Sequence, residues 1–142
     1  MLDDDRCPCG SGDTFGACCG PLLRGDRPAP TAEALMRSRY TAFAVGDAAY
    51  LRATWHPRTR PSSLELDDDQ EWRRLVVLAT HAGGPFDDGG EVEFVAQHRS
   101  AATGERGRLH EVSRFVREGG RWFYVDGDVG ACARPAQDVR AV

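Results

Sequence analysis

The stretch Glu91-Val92-Glu93-Phe94-Val95-Ala96-Gln97-His98-Arg99-Ser100-Ala101 sets Val92, Phe94, Ala96 and His98 against Glu93, Val95, Gln97 and Arg99. A period of two belongs to a strand with one buried face. The same reading downstream predicts a strand from Leu109 to Arg117, then a Gly119-Gly120 hairpin turn into Arg121-Trp122-Phe123-Tyr124-Val125-Asp126. Upstream it predicts a strand from Trp72 to His81, β-branched at Val76 and Val77. Gly-rich turns at Gly83-Gly84, Gly89-Gly90 and Gly104 link the four strands into an antiparallel meander.

Before the strands the period lengthens. Thr31 is an N-cap after Pro30, and Ala32 to Val45 carries Met36, Tyr40 and Phe43 on one helical face before Gly46 ends the run. Asp47 caps a second helix, Ala48 to about Thr54, with Tyr50, Leu51 and Trp55 as its apolar side and Pro57 as its stop. Helices followed by strands indicate an α+β fold, a helical hairpin packed on one face of a curved sheet. A chain of 142 residues suits one main domain with a small appendage. Residues 21–30 read as a connector whose Leu22 and Leu23 dock onto the domain, Arg58 to Gln70 as a loop or a short helical turn, and the tail from Arg134 as frayed.

No run of about 18 apolar residues exists to span a bilayer. Met1-Leu2-Asp3-Asp4-Asp5 is acidic where a signal peptide would be basic and then apolar, so the expected compartment is the cytoplasm. The formal net charge of -4 argues against a broad electrostatic grip on nucleic acid and leaves room only for a local basic patch. All 18 basic residues are arginine, which removes Schiff-base chemistry through lysine.

The densest chemistry lies near the N-terminus, where Cys7, Cys9, Cys18 and Cys19 fall within thirteen residues. A Cys18–Cys19 disulfide would be strained, because adjacent Cα atoms are only about 3.8 Å apart. Bridges between the two pairs are sterically open, although a reducing cytosol disfavours them. Four thiolates can also take tetrahedral corners around one zinc ion, with Gly10, Gly12, Gly16 and Gly20 letting the loop wrap it. Such a site is structural, since it leaves no open position for water or substrate.

The pattern Cys7-Pro8-Cys9-Gly10-Ser11-Gly12, then Cys18-Cys19, is similar to the SEC-C zinc knuckle, C-x-C-x(8)-C-[C/H], and fills every ligand position of that motif. The order of helices and strands looks like the nuclear-transport-factor-2-like cone, in which N-terminal helices cover a bent sheet around a pocket. More closely, Met36-Arg37-Ser38-Arg39-Tyr40, Asp47-Ala48-Ala49-Tyr50-Leu51, Trp55-His56-Pro57, Ser113-Arg114-Phe115 and Trp122-Phe123-Tyr124-Val125-Asp126-Gly127 resemble the uncharacterised bacterial YchJ family over nearly the whole chain. The resemblance implies one structural Zn2+ on a knuckle over residues 1–25, a cone domain over 30–134 and a tail over 135–142. Longer members carry a second, C-terminal knuckle, where this sequence has Cys132 alone.

A cone of this kind would gather Arg37, Tyr40, Trp55, His56, Glu111, Ser113, Phe115, Trp122 and Tyr124 around its pocket, with Asp126 at the end of the last strand. The aromatic members also read as ordinary core, Trp55-His56-Pro57 as a helix cap, and Arg37 and Arg39 as solvated flanks. Glu111 shares a face with Leu109, Ser113 and Phe115, and a carboxylate there must be paired or protonated. It is either an ion-pair partner of Arg37 or Arg114 or a general base near His56, and Asp126 is either a catalytic carboxylate or a turn former before Gly127. The functions these features support are a zinc-held module binding a small molecule or a protein, a small proton-transfer enzyme, and an RNA-associated protein using Arg37, Arg39 and the knuckle. The outer sheet face, with Val76, Leu78, Val95, Val112 and Val116, offers a surface for a homodimer.

Overall fold

The computed structural model describes residues 1–130 of the chain. Cys132 and the tail therefore lie outside the described residues. Among the described residues a 3-10 turn (Phe15–Ala17) and three α-helices, α1 (Cys19–Leu23), α2 (Ala32–Val45) and α3 (Ala48–Ala53), precede four strands, β1 (Gln70–Ala82), β2 (Gly89–Ser100), β3 (Arg106–Glu118) and β4 (Arg121–Val129). The strands form one antiparallel sheet in the order β1-β2-β3-β4. The α+β architecture is the expected one.

Helix α2 starts and stops where its sequence dictates. Thr31 accepts a hydrogen bond from the Ala34 N–H at 3.0 Å, and Gly46 closes the helix in the left-handed region at φ 82°. Asp47 then caps α3 by accepting from the Tyr50 N–H at 3.0 Å, so the two helices meet with almost no loop. Burial on α2 exceeds one stripe: Leu35, Met36, Ser38, Arg39, Tyr40, Thr41 and Ala42 are all enclosed. The helix lies between the sheet, α3 and the cysteine segment, so three sides of it need packing.

The sheet curves because its ladders are interrupted. Register shifts occur on β1 between Trp72 and Arg74 and between Val77 and Ala79, and an irregularity in the β3–β4 pairing leaves Val125 as the extra residue on β4. The free edge of β4 is closed by the chain after α3: the His56 N–H donates to the Tyr124 carbonyl and the Tyr124 N–H to the Thr54 carbonyl, both at 2.8 Å. This short bridge places Trp55 against the inner face and turns His56 to the outside of the cavity.

The cysteine segment is built into the same core. Cys7, Cys9, Cys19, Phe15 and Leu22 are buried together with Leu35, Met36, Tyr40 and Leu75. The expected connector begins later than Pro21, because Pro21, Leu22 and Leu23 finish α1, and Leu22 docks as its apolar side chain requires, at 7% exposure. Among the described residues no helix is long and apolar enough to cross a membrane.

Candidate functional site

Two sites flank α2. The first is the cysteine cluster, held by a narrow loop whose ends pair at Arg6 and Thr14, with the Cys7 N–H donating to the Asp13 carbonyl at 3.0 Å. Gly10 and Gly12 take φ values of 80° and 96°, and a Cβ on Gly16 would stand 2.7 Å from the Asp3 Cβ. The glycines between the pairs thus divide into those that turn the chain and those that leave room for it.

The four Sγ atoms all lie within 4.8 Å of one another. Cys9 and Cys18 are 3.6 Å apart and Cys18 and Cys19 3.9 Å, which brackets the separation of about 3.8 Å that a tetrahedral site with zinc–sulfur bonds of about 2.3 Å requires. None of these distances is that of a disulfide, and all four thiols are free. Hydrogen bonds from Cys19 and Cys7 draw Cys9 far below the ordinary thiol range. Hydrogen bonds with Cys7 and Cys9 push Cys19 far above it, and burial pushes Cys18 up to about 11. So crowded a set cannot ionise fully by itself, and a dication at its centre would reverse that. The donor set fits a soft divalent metal.

Helix α2 supplies the surroundings of this cluster. The Thr41 hydroxyl donates to Cys19 Sγ at 3.4 Å and lies 3.8 Å from Cys7 Sγ. Arg37 Nη1 donates to the Cys9 carbonyl at 2.8 Å while its Nε pairs with Glu33 at 2.9 Å. Arg37 therefore braces the cysteine loop and lies outside the cavity where it was expected, because it is drawn to the Thr41 side of the helix by the Cys9 carbonyl and Glu33.

The second site is a cavity of about 280 Å³ between α2 and the inner sheet face. Its walls include Tyr40, Trp55, Glu111, Ser113, Phe115 and Tyr124 among the expected residues, and Met36, Arg39, Phe43, Trp72, Phe94 and Gly127 among those not assigned to it from sequence. Trp72 closes one side through edge contacts to Tyr40 at 6.0 Å and His98 at 5.2 Å.

Glu111 is the buried carboxylate of this cavity, 9% exposed. Its Oε2 accepts from the Ser113 hydroxyl at 2.7 Å and from the Tyr124 hydroxyl at 3.1 Å. Among the described residues it forms no ion pair: Arg37 is held by Glu33 and the metal loop, and Arg114 lies on the outer face with Asp126 at 2.6 Å and Asp128 at 2.9 Å. Gly127 stands opposite Ser113 on β4, and a Cβ there would overlap Glu111 Oε2. Burial and the Glu111 charge push the Tyr124 phenol well above the usual tyrosine range, which keeps it a donor.

Arg39 corrects the solvated reading given to it. It is 6% exposed, donates through Nη1 to the Leu51 carbonyl at 2.8 Å and the Thr54 hydroxyl at 2.7 Å, and sits over the rings of Tyr124 and Trp55 at 4.6 and 5.1 Å. Burial lowers its guanidinium to about 10. The signal was present in the spacing, since Arg39 follows Met36 by three and precedes Phe43 by four. Its charge concealed it.

His56, Trp122 and Asp126 lie outside the cavity. His56 Nε2 contacts Glu118 Oε1 at 3.0 Å and its Nδ1 accepts from the Arg58 N–H at 3.0 Å, so it stands apart from Glu111 and no acid–base pair forms between them. Trp122 fills the closed end of the core, its indole N–H 3.3 Å from the Pro30 carbonyl. The extra residue Val125 reverses the alternation on β4, which carries Asp126 to the outer face opposite Arg114 and brings Gly127 inward. Strand β4 also continues through Val129, so Asp126 is not a turn former.

The chain matches two family models: the YchJ middle NTF2-like domain over residues 31–127 and the SEC-C motif over residues 5–21. A UPF0225 protein of Corynebacterium efficiens is 54% identical over 126 residues, covering 89% of this chain and 95% of its own length. One of Chromobacterium violaceum is 54% identical over 125 residues, covering 85% and 90%. The solution structure of a SEC-C motif containing protein from Rhodopseudomonas palustris is similar with a TM-score of 0.76 and 38% identity, covering 86% of this chain and 96% of that one. A SEC-C motif containing protein from Psychrobacter arcticus shares the fold at a TM-score of 0.72 and 24% identity, over 100% of this chain and 88% of the other. An NTF2-like domain covering most of the chain, a SEC-C motif ahead of it and close relatives along nearly its full length place this protein in the YchJ (UPF0225) family.

Proposed function

We propose that this protein is a metal-stapled binding module of the cytoplasm, in which one structural Zn2+ on Cys7, Cys9, Cys18 and Cys19 fixes α2 and the cone holds a small molecule. The observation that carries this reading is Glu111, a carboxylate enclosed by aromatic walls and held by Ser113 and Tyr124, with no ion pair among the described residues. The two hydroxyls leave further acceptor capacity on this carboxylate, which a donor on a bound molecule would use. At about 280 Å³ the space suits a compact ring-sized molecule and excludes a folded partner. Its complement is an apolar body carrying an N–H or O–H donor directed at Glu111. Bound zinc would supply cross-linking of the knuckle and no catalysis, since all four donors are thiolates.

The test is a thermal-shift screen of small ring compounds against the zinc-loaded protein, repeated on Glu111→Gln, with metal content measured in parallel. Compounds with a donor group should raise the melting temperature of the wild type and lose most of that effect in the variant. A screen without hits, or hits indifferent to Glu111→Gln, would remove the ligand-binding reading. Less than half an equivalent of zinc in protein purified without chelator would remove the metal.

The position of Glu111 in the cavity also supports a second reading, a proton-transfer enzyme using Glu111 without His56. It predicts that a bound compound exchanges a carbon-attached proton with solvent deuterium, and that Glu111→Gln abolishes the exchange while binding persists.

A further inference from the structure

The sheet register gathers arginines on the outer face, turned away from α2 and the cavity. Glu71, Arg99 and Arg106 form one row across β1, β2 and β3, and Arg74, Gln97 and Arg108 form the next, with Arg73 at the β1 bulge beside them. Neighbouring strands are about 4.8 Å apart and alternate residues about 6.8 Å, so these guanidinium groups converge on a patch roughly 10 Å across. A groove of about 600 Å³ runs over them, and no carboxylate lines it.

The compensation of charge there is incomplete. Glu71 Oε1 pairs with Arg99 at 2.9 Å and reaches Arg73 at 3.9 Å. Arg74, Arg106 and Arg108 are exposed and form no ion pair among the described residues. The Arg99 Nε–H is shut off from solvent without an acceptor. Like charges held this close repel one another, and they do so on a chain whose formal net charge is -4. Asp67, Asp69 and Glu105 line a neighbouring hollow that shares Arg106, so the positive field is bounded on that side and focused over the groove.

We propose that this groove is a binding site for phosphoryl oxyanions, with Arg74, Arg106 and Arg108 as its contacts and Arg99 set in place by Glu71. Planar guanidinium forks match paired phosphoryl oxygens, and several on one rigid sheet present them without ordering a loop. The groove has no exposed apolar side chain to seat an acyl chain, so the phosphoryl group belongs to a free polyphosphate or to a nucleic-acid backbone. The site is separate from the cavity and does not involve Arg37 or Arg39, which are both engaged inside the fold.

The zinc-loaded full chain is titrated with inorganic tripolyphosphate by calorimetry and with a short single-stranded RNA by fluorescence anisotropy, at about 50 mM and about 200 mM salt. Binding in either arm supports the site. Comparable affinity in both arms assigns a small phosphoryl ligand, and binding of RNA alone with a steep salt slope assigns the polymer backbone. The double variant R74Q/R108Q should bind at least about tenfold more weakly and flatten the salt slope by about two contacts, with an unchanged melting temperature. Arg114→Gln, at the other end of the same face, should bind as the wild type does. No binding in either arm at millimolar concentration overturns the proposal, as does wild-type affinity in R74Q/R108Q. So does a wild-type dimer in sedimentation that R74Q/R108Q dissociates, since that would assign the arginines to a self-contact.

Discussion

Replacing Gly127 by alanine tests how tightly the cavity carboxylate is placed. The backbone permits the change, because Gly127 is not among the positive-φ glycines, and alanine alone would favour the strand by about 0.5–1 kcal/mol. The new Cβ, however, would overlap Glu111 Oε2 and stand 2.8 Å from its Cδ and 3.0 Å from its Cγ. Glu111 cannot yield freely, since Ser113 and Tyr124 both hold that oxygen and Ser113 is 2% exposed. Overpacking costs about 1–3 kcal/mol, and displacing the carboxylate from one hydroxyl costs about 1.5–3 more. The net expectation is a loss of about 3 kcal/mol, read as a lower urea midpoint at constant m value and a melting temperature lower by roughly 10 °C. The decisive arm is the same substitution in a Glu111→Ala background. There the obstruction is gone, and Gly127→Ala should be neutral or slightly stabilising, which gives a coupling of about 3 kcal/mol between the two positions. Equal costs in both backgrounds would refute the reasoning, because the glycine would then be answering to something other than Glu111.

Three further outcomes are expected. Thr41→Val keeps the shape of the side chain and removes the hydroxyl that donates to Cys19 Sγ at 3.4 Å, so zinc affinity in a chelator competition should fall about 10–100-fold; an unchanged affinity would show that the bond contributes nothing to the site. All three tyrosines of the chain are raised by burial, Tyr40 to about 12, so their stabilising contribution is complete below the ordinary phenol value and lost as pH climbs through the folded one. Arg39, lowered to about 10, works with the opposite sign, its burial penalty easing above that pH, but it is one group against three. Tyrosinate absorbance should stay flat through pH 10 and rise together with loss of helical signal; a phenol titrating at its ordinary value in folded protein contradicts the burial. His56→Ala should remove the contacts to Glu118 and the Arg58 N–H at a cost of about 1–3 kcal/mol, with the affinity of any cavity ligand unchanged; a weakened ligand would mean that His56 acts on the cavity after all.

Much of the fold was legible because binary pattern and turn residues agree. The inward set of β2 is as read, with Val92, Phe94 and Ala96 buried, although Val95 on the opposite face is buried too, and Thr31, Gly46 and Asp47 delimit the helices as their chemistry predicts. The cysteine cluster was legible because close spacing brings four thiols together, as the similarity to the SEC-C motif implied. Errors arose where a local rule met a tertiary one. Strict alternation put Asp126 inside, and the extra residue Val125, which no sequence signal marks, turned it out and brought Gly127 in. Charge put Arg39 outside, although its spacing from Met36 and Phe43 pointed inward and the Leu51 carbonyl, the Thr54 hydroxyl and two aromatic rings make its burial tolerable. His56 was grouped with Glu111 for its chemistry, but its position follows from a backbone bridge to Tyr124 that cannot be inferred from side-chain types. The basic face escaped notice because Arg74, Arg99, Arg106 and Arg108 come from three strands and meet only through register.

The two sites share one helix, and that sharing would give a bound metal its role. Arg37 and Thr41 on α2 face the cysteine loop, while Met36, Arg39, Tyr40 and Phe43 line the cavity, so the middle of the helix serves both. A short loop such as residues 5–18 has one large apolar side chain, Phe15, with which to hold its shape, far too little to offset the entropy of ordering its backbone. Metal binding in such modules supplies on the order of 10 kcal/mol. In the proposed zinc-bound form that free energy would fix Cys7, Cys9 and Cys19, which are buried in one core with Leu35, Met36 and Tyr40. Remove it, and α2 loses the support on one of its three sides while the enclosed Glu111 and Arg39 on the other still demand an ordered frame. A metal-held knuckle on the far side of the same helix would restrain that helix, and so help the cavity keep a carboxylate and a guanidinium out of water.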